Sequence, residues 1–226
     1  MPAMPDIDDL FMEHLGASLS KQRSLLQAVE GLPCDIDLDT GEATFGDRFT
    51  FPVQLLGFEE EDSQTWVWSW ALEEPLGPES LTQAALALKE YGEKHELELF
   101  TVPSFGTEDL SGDEVTILSC GVAGSESFFA AHTEEDEVTF FLIPDLRGQL
   151  PAERPATFVA EVIEEMLDTY ELDEPADVLR SYLCYEGYGL DEQSSRKWIA
   201  SHPNGGRLTL KFDGQGQLDA VNAGKG

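Results

Sequence analysis

The first part of the chain changes its hydrophobic period from that of a helix to that of a strand. Apolar residues recur at helical spacing over residues 6–30, and acidic residues occupy the first turn, where the helix dipole favours them. Residues 34–39 then alternate between apolar and polar, residues 40–42 form a turn signal, and residues 43–45 alternate again. We predict an amphipathic helix followed by a β-hairpin.

Two further strands are predicted at residues 51–58 and 65–71. The second contains three of the four tryptophans of the chain, Trp66, Trp68 and Trp70. Because successive side chains of a strand point to opposite faces, we predict that the three indoles share one face.

The rest of the chain again combines helical and strand patterns. Residues 114–122 are ambiguous, since their apolar spacing suits a helix and their β-branched residues favour a strand. The other predicted elements are a helix that opens at Pro78, hairpin strands at 127–132 and 138–143, helices at 156–170 and 175–185, and hairpin strands at 197–201 and 207–212.

This order of elements is typical of the α+β class. We predict antiparallel sheets packed against amphipathic helices, in two loosely similar halves of one domain. No long linker or low-complexity segment interrupts the chain, so the domain is predicted to span residues 1–226, with lobes at about 6–95 and 96–226.

The charge of the chain is its most unusual bulk property. Forty-five acidic residues stand against thirteen basic ones, which gives a net charge of −32 in 226 residues. No Lys or Arg occurs between Arg48 and Lys89 or between Lys94 and Arg147. Such a field repels nucleic acid and anionic membranes and attracts basic proteins, so we expect neither of the first two as a partner. Solubility, or adaptation to a salty cytoplasm, is an alternative reason for the acidity.

Several features predict a cytoplasmic protein. The N-terminus lacks the basic and apolar regions of a signal peptide, and no apolar stretch approaches the ~20 residues of a membrane span. The three cysteines, Cys34, Cys120 and Cys184, are widely spaced and odd in number, which favours buried reduced thiols over a disulfide framework.

No motif for catalysis or for a cofactor stands out. The four histidines make no zinc-binding spacing, and the glycine-rich segments lack the lysine of a phosphate loop. Asp35-x-Asp37-x-Asp39 resembles the start of a calcium loop, but Thr40 and Gly46 stand where that loop needs Gly and Glu. We therefore predict no metal, no cofactor and no catalytic residue.

A resemblance to a known family rests on the strands around the tryptophans. A Thr-Trp-x-Trp-x-Trp strand at 65–70 follows a Val-Gln-Leu-Leu-Gly strand at 53–57, and a hairpin containing Gly41-x-x-x-Phe45 precedes both. A helix ending Tyr91-Gly-Glu and a hairpin ending Phe140-Phe-Leu follow. This order resembles a bacterial family of domains of unknown function. The resemblance implies an α+β fold in a cytosolic bacterial protein, and it implies no reaction.

These observations favour a non-enzymatic acidic protein that binds a basic protein partner, such as an immunity or inhibitor protein that neutralises a toxin or nuclease. The acidic turns at 59–62 and 134–137 and the acidic face of the helix at 156–170 are the predicted contact surfaces. Their residues are Glu59, Glu60, Glu61, Asp62, Glu134, Glu135, Asp136, Glu137, Glu161, Glu164, Glu165 and Asp168.

Two alternatives remain open at this stage. The tryptophan face could be the floor of a pocket for a small molecule, in a binder or an enzyme, because an indole N–H needs an acceptor when it is buried; the competing expectation is that the three indoles fill a core. The chain could also be a subunit of a larger assembly, associating through the basic residues between Arg196 and Lys211.

Overall fold

The computed structural model describes residues 6–60, 62–132, 137–151, 153–172 and 174–225. Its elements are helices and antiparallel sheets, which confirms the α+β prediction.

The contacts of the chain divide it into two units. The first consists of Met1–Phe11 and Ser24–Leu150, and the second of Met12–Arg23 and Pro151–Gly226. The prediction of a single domain with lobes at about 6–95 and 96–226 stays a prediction.

The N-terminal helix α1 (Ile7–Val29) supplies residues to both units. It begins at Asp6, whose carboxylate accepts a hydrogen bond from the backbone N–H of Asp8, and two further aspartates lie in its first turn. The predicted helix at 6–30 is therefore confirmed.

The first unit contains two antiparallel sheets. Among the described residues one sheet has the order β1-β2-β3 and the other the order β6-β5-β4-β8-β7. Their strands are β1 (Cys34–Asp37), β2 (Glu42–Phe45), β3 (Phe49–Pro52), β4 (Gln54–Glu60), β5 (Thr65–Trp68), β6 (Ser104–Gly106), β7 (Ser127–His132) and β8 (Glu137–Ile143).

Three helices accompany these sheets, α2 (Gln83–His95), α3 (Glu98–Thr101) and α4 (Gly112–Val122). The ambiguous segment at 114–122 is helical because Ser111 starts it with a capping box. The Ser111 hydroxyl accepts from the Glu114 amide, and the Glu114 carboxylate accepts from the Ser111 amide at 2.8 Å.

One face of the larger sheet shares a core with the smaller sheet and with the end of α1. Phe141 and Leu55, which are neighbours on β8 and β4, pack in this cluster with Phe51 and Val29. Phe58 lies at the margin of the same cluster and is only partly buried. The apolar core therefore ends at Phe58, where the sheet face becomes accessible.

The tryptophan strand is shorter than predicted. β5 ends at Trp68, and Ser69–Ala71 form a 3₁₀ turn, so Trp66 and Trp68 share a face of the sheet whereas Trp70 lies beyond it. The chain leaves the sheet where the Ser69 hydroxyl donates to the Leu55 carbonyl at 2.7 Å. The prediction that three indoles share one strand face is therefore wrong for Trp70.

Trp66 and Trp68 fill the core on the opposite face of the larger sheet. Both are 0% exposed, their rings meet edge to face at 5.3 Å, and the Trp68 indole donates to the Leu99 carbonyl. Gly57 makes room for them, since a Cβ there would lie 2.7 Å from the Trp66 ring and 2.6 Å from the Val67 carbonyl oxygen. The core expectation is therefore the correct one for these two side chains.

The second unit packs helices against a sheet with the order β12-β11-β10-β9. Its elements are α5 (Ala156–Thr169), α6 (Pro175–Tyr185), β9 (Gly189–Ser194), β10 (Lys197–Ser201), β11 (Gly206–Phe212) and β12 (Leu218–Lys225). The sequence predicted both helices and the β10–β11 hairpin. It missed β9 and β12, because these outer strands are largely exposed and carry little apolar alternation.

Two of the three cysteines contradict the burial prediction. Cys34 and Cys184 are exposed and Cys120 is buried, and none of the three forms a disulfide in the described structure. Cys34 starts β1, an outer strand of its sheet. In the described ranges, none of the helices has the length and apolarity needed to cross a membrane.

Replacing Gly57 with Ala should destabilise the protein, because the new methyl group would collide with buried, rigid neighbours. We expect Gly57→Ala to lower the free energy of unfolding by about 1–3 kcal/mol in a urea titration. Gly106→Ala on β6 is the matched control, since its Cβ would meet no atom closer than 3.8 Å. Equal stabilities for the two variants would contradict the close packing of Trp66 on β4.

Candidate functional site

A groove opens on the sheet face that is opposite to the buried tryptophans. Phe58 of β4 and Val67 of β5 are paired across the two strands and form its floor. Both side chains are partly exposed, unlike Trp66 and Trp68 on the other face. The groove lies within the first unit and has a volume of about 610 Å³.

The wall of the groove is the irregular segment 72–76, which follows the 3₁₀ turn. Leu72 and Leu76 add apolar surface to it, and Leu76 is 44% exposed. Gly77 ends this segment close to the Leu38 backbone, since a Cβ there would lie 2.5 Å from the Leu38 carbonyl oxygen. The Ser69 hydrogen bond to Leu55 fixes the turn that precedes the wall.

Four carboxylates line the groove above this apolar floor. Glu60 at the end of β4 and Glu137 at the start of β8 are directly paired, and Glu73 and Glu74 come from the wall. The structure thus brings together two of the acidic segments that the sequence predicted as separate contact surfaces. Like charges directly opposite each other on antiparallel strands are unfavourable, so this pairing costs stability.

The carboxylates of Glu60, Glu73 and Glu74 form no ion pair in the part of the chain that the structure describes. Glu60 accepts a hydrogen bond of 2.6 Å from the Ser63 hydroxyl, which leaves its negative charge in place. The groove is therefore an apolar surface with uncompensated negative charge around it.

Glu59 was predicted to contact a partner, and the structure gives it a different role. It lies opposite Trp66, on the core face of the sheet, and its carboxylate accepts a hydrogen bond of 3.1 Å from the Gly112 amide. It thereby satisfies a free N–H at the start of α4. Alternation along β4 separates Glu59 from Glu60, which is the residue that faces the groove.

Asp62 is the other described residue of the turn at 59–62. Asp62 is exposed and lies outside the groove lining. The predicted contact residues Glu61, Glu134, Glu135 and Asp136 lie outside the described residues.

The acidic face of α5 is partly neutralised within the second unit. Arg23 donates to Glu161 and to Glu165, each at 2.7 Å, so these two carboxylates have an internal partner. Of the four predicted contact residues on α5, Glu161 and Glu165 bind Arg23, whereas Glu164 and Asp168 are exposed and form no ion pair among the described residues.

The prediction of a pocket with the tryptophans as its floor is wrong for Trp66 and Trp68, because both side chains are buried in the core. Trp66 and Trp68 expose no surface, so they line no cavity that opens to solvent. Trp70 is partly exposed, and the Lys89 ammonium lies 4.4 Å from the centre of its ring, a cation–π geometry. The Trp66 and Trp70 indole N–H groups are buried and have no acceptor among the described residues.

A buried polar cluster in the second unit is the other concentration of titratable groups. Arg154 donates to Glu186 at 2.8 Å, Ser20 also donates to Glu186, and the Tyr182 hydroxyl donates to Ser20. Burial raises the pKa of Tyr182 far above its ordinary value, so this hydroxyl stays protonated. These groups satisfy one another, as expected of a structural ion pair.

The described residues contain no cluster of three or more His, Cys, Asp or Glu side chains that could hold a metal ion. In the segment that resembles a calcium loop, the Asp37 carboxylate instead accepts from the Thr40 and Asp39 amides, and these hydrogen bonds lower the pKa of Asp37. Asp37 therefore stabilises the hairpin turn.

Sequence reasoning missed the wall and the floor of the groove. The missed residues are Phe58, Val67, Leu72, Glu73, Glu74 and Leu76. A signal was present, since the segment from Phe58 to Leu76 lies in the stretch without Lys or Arg that runs from Arg48 to Lys89, and Glu137 lies in the one that runs from Lys94 to Arg147. What the sequence could not show is that the two stretches meet.

A family model described as a family of unknown function, DUF6882, matches residues 8–146, which confirms the resemblance to a domain of unknown function. The matched range contains all the described residues that line the groove. No curated protein and no solved structure gives a significant match to the chain.

A double-mutant cycle should detect repulsion between Glu60 and Glu137. We expect each single variant, Glu60→Gln or Glu137→Gln, to be more stable than the wild type. At low salt the double variant should gain less free energy of unfolding than the two single gains added together, by about 0.2–1 kcal/mol. The repulsion should disappear in about 1 M NaCl, where the screening length is about 3 Å. Additive effects at low salt would contradict the paired register of the two carboxylates.

Proposed function

Because this chain belongs to DUF6882, a family of unknown function, we propose its activity from its own surface: it binds a basic protein partner and is not an enzyme. The bacterial, cytoplasmic setting predicted from the sequence is part of the same proposal.

The observation that carries this proposal is the uncompensated charge of the groove. Arg23, Arg147, Arg154 and Arg180 each bind carboxylates elsewhere in the described structure. The groove carboxylates of Glu60, Glu73 and Glu74 have no such partner. These carboxylates repel one another in the free protein. A cationic surface of another protein that covered them would reduce this repulsion, and the reduction would favour binding.

The overall charge supports the same kind of partner. A net charge of −32 accelerates the approach of a basic protein and slows that of nucleic acid or an anionic membrane. Such steering weakens as salt rises, because the screening length falls to about 8 Å at physiological ionic strength. A basic partner should therefore associate quickly and with strong salt dependence.

The finer form of the proposal is an inhibitor or immunity protein. A basic nuclease or toxin carries its positive charge around its active site, because that is where it meets an anionic substrate. A small acidic protein that covers this surface would block substrate access without any chemistry of its own. Affinity capture at low salt, eluted stepwise with NaCl, would identify such a partner, and an assay of its activity would test inhibition.

Self-association is a second candidate, and it rests on the second unit. Lys197 and Lys211 lie directly opposite each other on β10 and β11, and both are exposed. Arg207 lies on the same face of β11. This patch could contact the acidic surface of another copy, and sedimentation at low and high salt would test it.

Removing groove charges should weaken binding more than removing the same number elsewhere. The test variant is Glu60→Gln/Glu73→Gln/Glu74→Gln, and the control is Glu164→Gln/Asp168→Asn/Glu171→Gln on the exposed surface of the second unit. With a labelled decalysine peptide as probe, we expect the test variant to raise Kd about tenfold and the control about twofold.

The same titration should show a Kd that rises steeply between about 50 and about 300 mM NaCl. Equal losses in the two variants would mean that only bulk charge attracts the probe. A Kd that does not depend on salt would contradict the proposal of a basic partner altogether.

A further inference from the structure

We propose that the groove receives a segment of the partner in which one apolar side chain is flanked by Lys or Arg. This inference rests on the proposed function and specifies the chemistry that the partner must present. It assigns the apolar side chain to the floor and the flanking cations to the carboxylate rim.

The floor requires an apolar contact. Phe58 and Val67 lie side by side on neighbouring strands, and Leu72 and Leu76 extend the same surface onto the wall. Contiguous apolar surface with a polar rim is typical of binding sites, and here Leu76, 44% exposed, continues the Phe58–Val67 floor beside Glu73 and Glu74. A cation alone would leave this surface in contact with water.

The rim requires positive charge next to the apolar contact. Glu60 and Glu137 come from paired strand ends, whereas Glu73 and Glu74 come from the wall, so carboxylates line the groove from both the sheet and the wall. Lys and Arg cover apolar surface with their aliphatic stems while their charged ends reach polar groups. Residues of this type on each side of an apolar anchor would match the groove.

The size and the rigidity of the groove also suit a short segment. Its volume of about 610 Å³ lies inside the range of about 300–1,000 Å³ that is typical of ligand pockets. The Ser69–Leu55 hydrogen bond fixes the turn before the wall, and at the other end Gly77 packs closely on the Leu38 backbone. Pro75, between Glu74 and Leu76, restricts the backbone of the wall further. A preformed groove loses little conformational entropy on binding.

The test uses two peptides that differ at one position. The first is a lysine- and glycine-rich dodecapeptide with a single central leucine, and the second has glycine at that position. Kd is measured for both peptides by fluorescence anisotropy with the full chain, with Leu76→Ser and with Leu86→Ser. Leu86 on α2 is the matched control, because it is 43% exposed, lies outside the groove and has the same side chain.

We expect the full chain to bind the leucine peptide about tenfold more tightly than the glycine peptide. Leu76→Ser should remove this preference, whereas Leu86→Ser should keep it. The preference should also persist at higher salt, because burial of apolar surface is not screened. Circular dichroism of each variant checks that the fold is intact.

The outcomes separate this inference from the proposed function. Salt-dependent binding with equal affinity for both peptides would overturn the inference and leave the basic partner in place. A preference for leucine that Leu76→Ser does not change would also overturn it, because the apolar contact would lie elsewhere. Salt-independent binding, or no binding of either peptide, would overturn both.

Equal or tighter binding of spermine, a polyamine without an apolar anchor, would assign the groove to small cations instead.

Discussion

The pairing of β4 with both β5 and β8 is the constraint on which the rest of the first unit depends. Side chains alternate along a strand, so a shift of one residue would exchange the two faces of the sheet. The observed register puts Gly57 and Glu59 on the tryptophan face and Phe58 and Glu60 on the groove face. Gly57 holds this register, because the Trp66 ring lies where any larger residue would place its side chain.

The same register sets the chemistry of each face. On the core face, the Glu59 carboxylate is used internally, at the start of α4. On the groove face, Glu60 meets Glu137 across the strand pair, and Glu60 forms no ion pair with any of the described residues. Two adjacent glutamates therefore have opposite roles, one in stabilising the fold and one in forming an acidic surface at the expense of stability.

The charge of the chain is distributed differently in the two units. In the second unit, Arg23 binds two glutamates of α5, Arg154 binds Glu186, and Arg180 binds Asp177 and Glu192. The groove of the first unit lies among the stretches without Lys or Arg, and among the described residues its carboxylates Glu60, Glu73 and Glu74 form no ion pair. Acidity as a general device for solubility would not require an apolar floor beneath the carboxylates, and this combination favours binding.

The sequence by itself determined the types of the elements, because helical and strand periods are local properties that a few neighbouring residues express. It predicted α1, α5, α6 and the β1–β2, β7–β8 and β10–β11 hairpins, and a Ser-x-x-Glu signal for α4 was present at Ser111 and Glu114. It also determined the negative field and the stretches without bases. Only the tertiary structure decided which acids meet, that Trp66 and Trp68 are core, that β5 ends before Trp70, and that segment 72–76 forms a wall. Each of these depends on register or packing between residues far apart in the chain, such as Glu60 and Glu137, and no local pattern encodes that pairing.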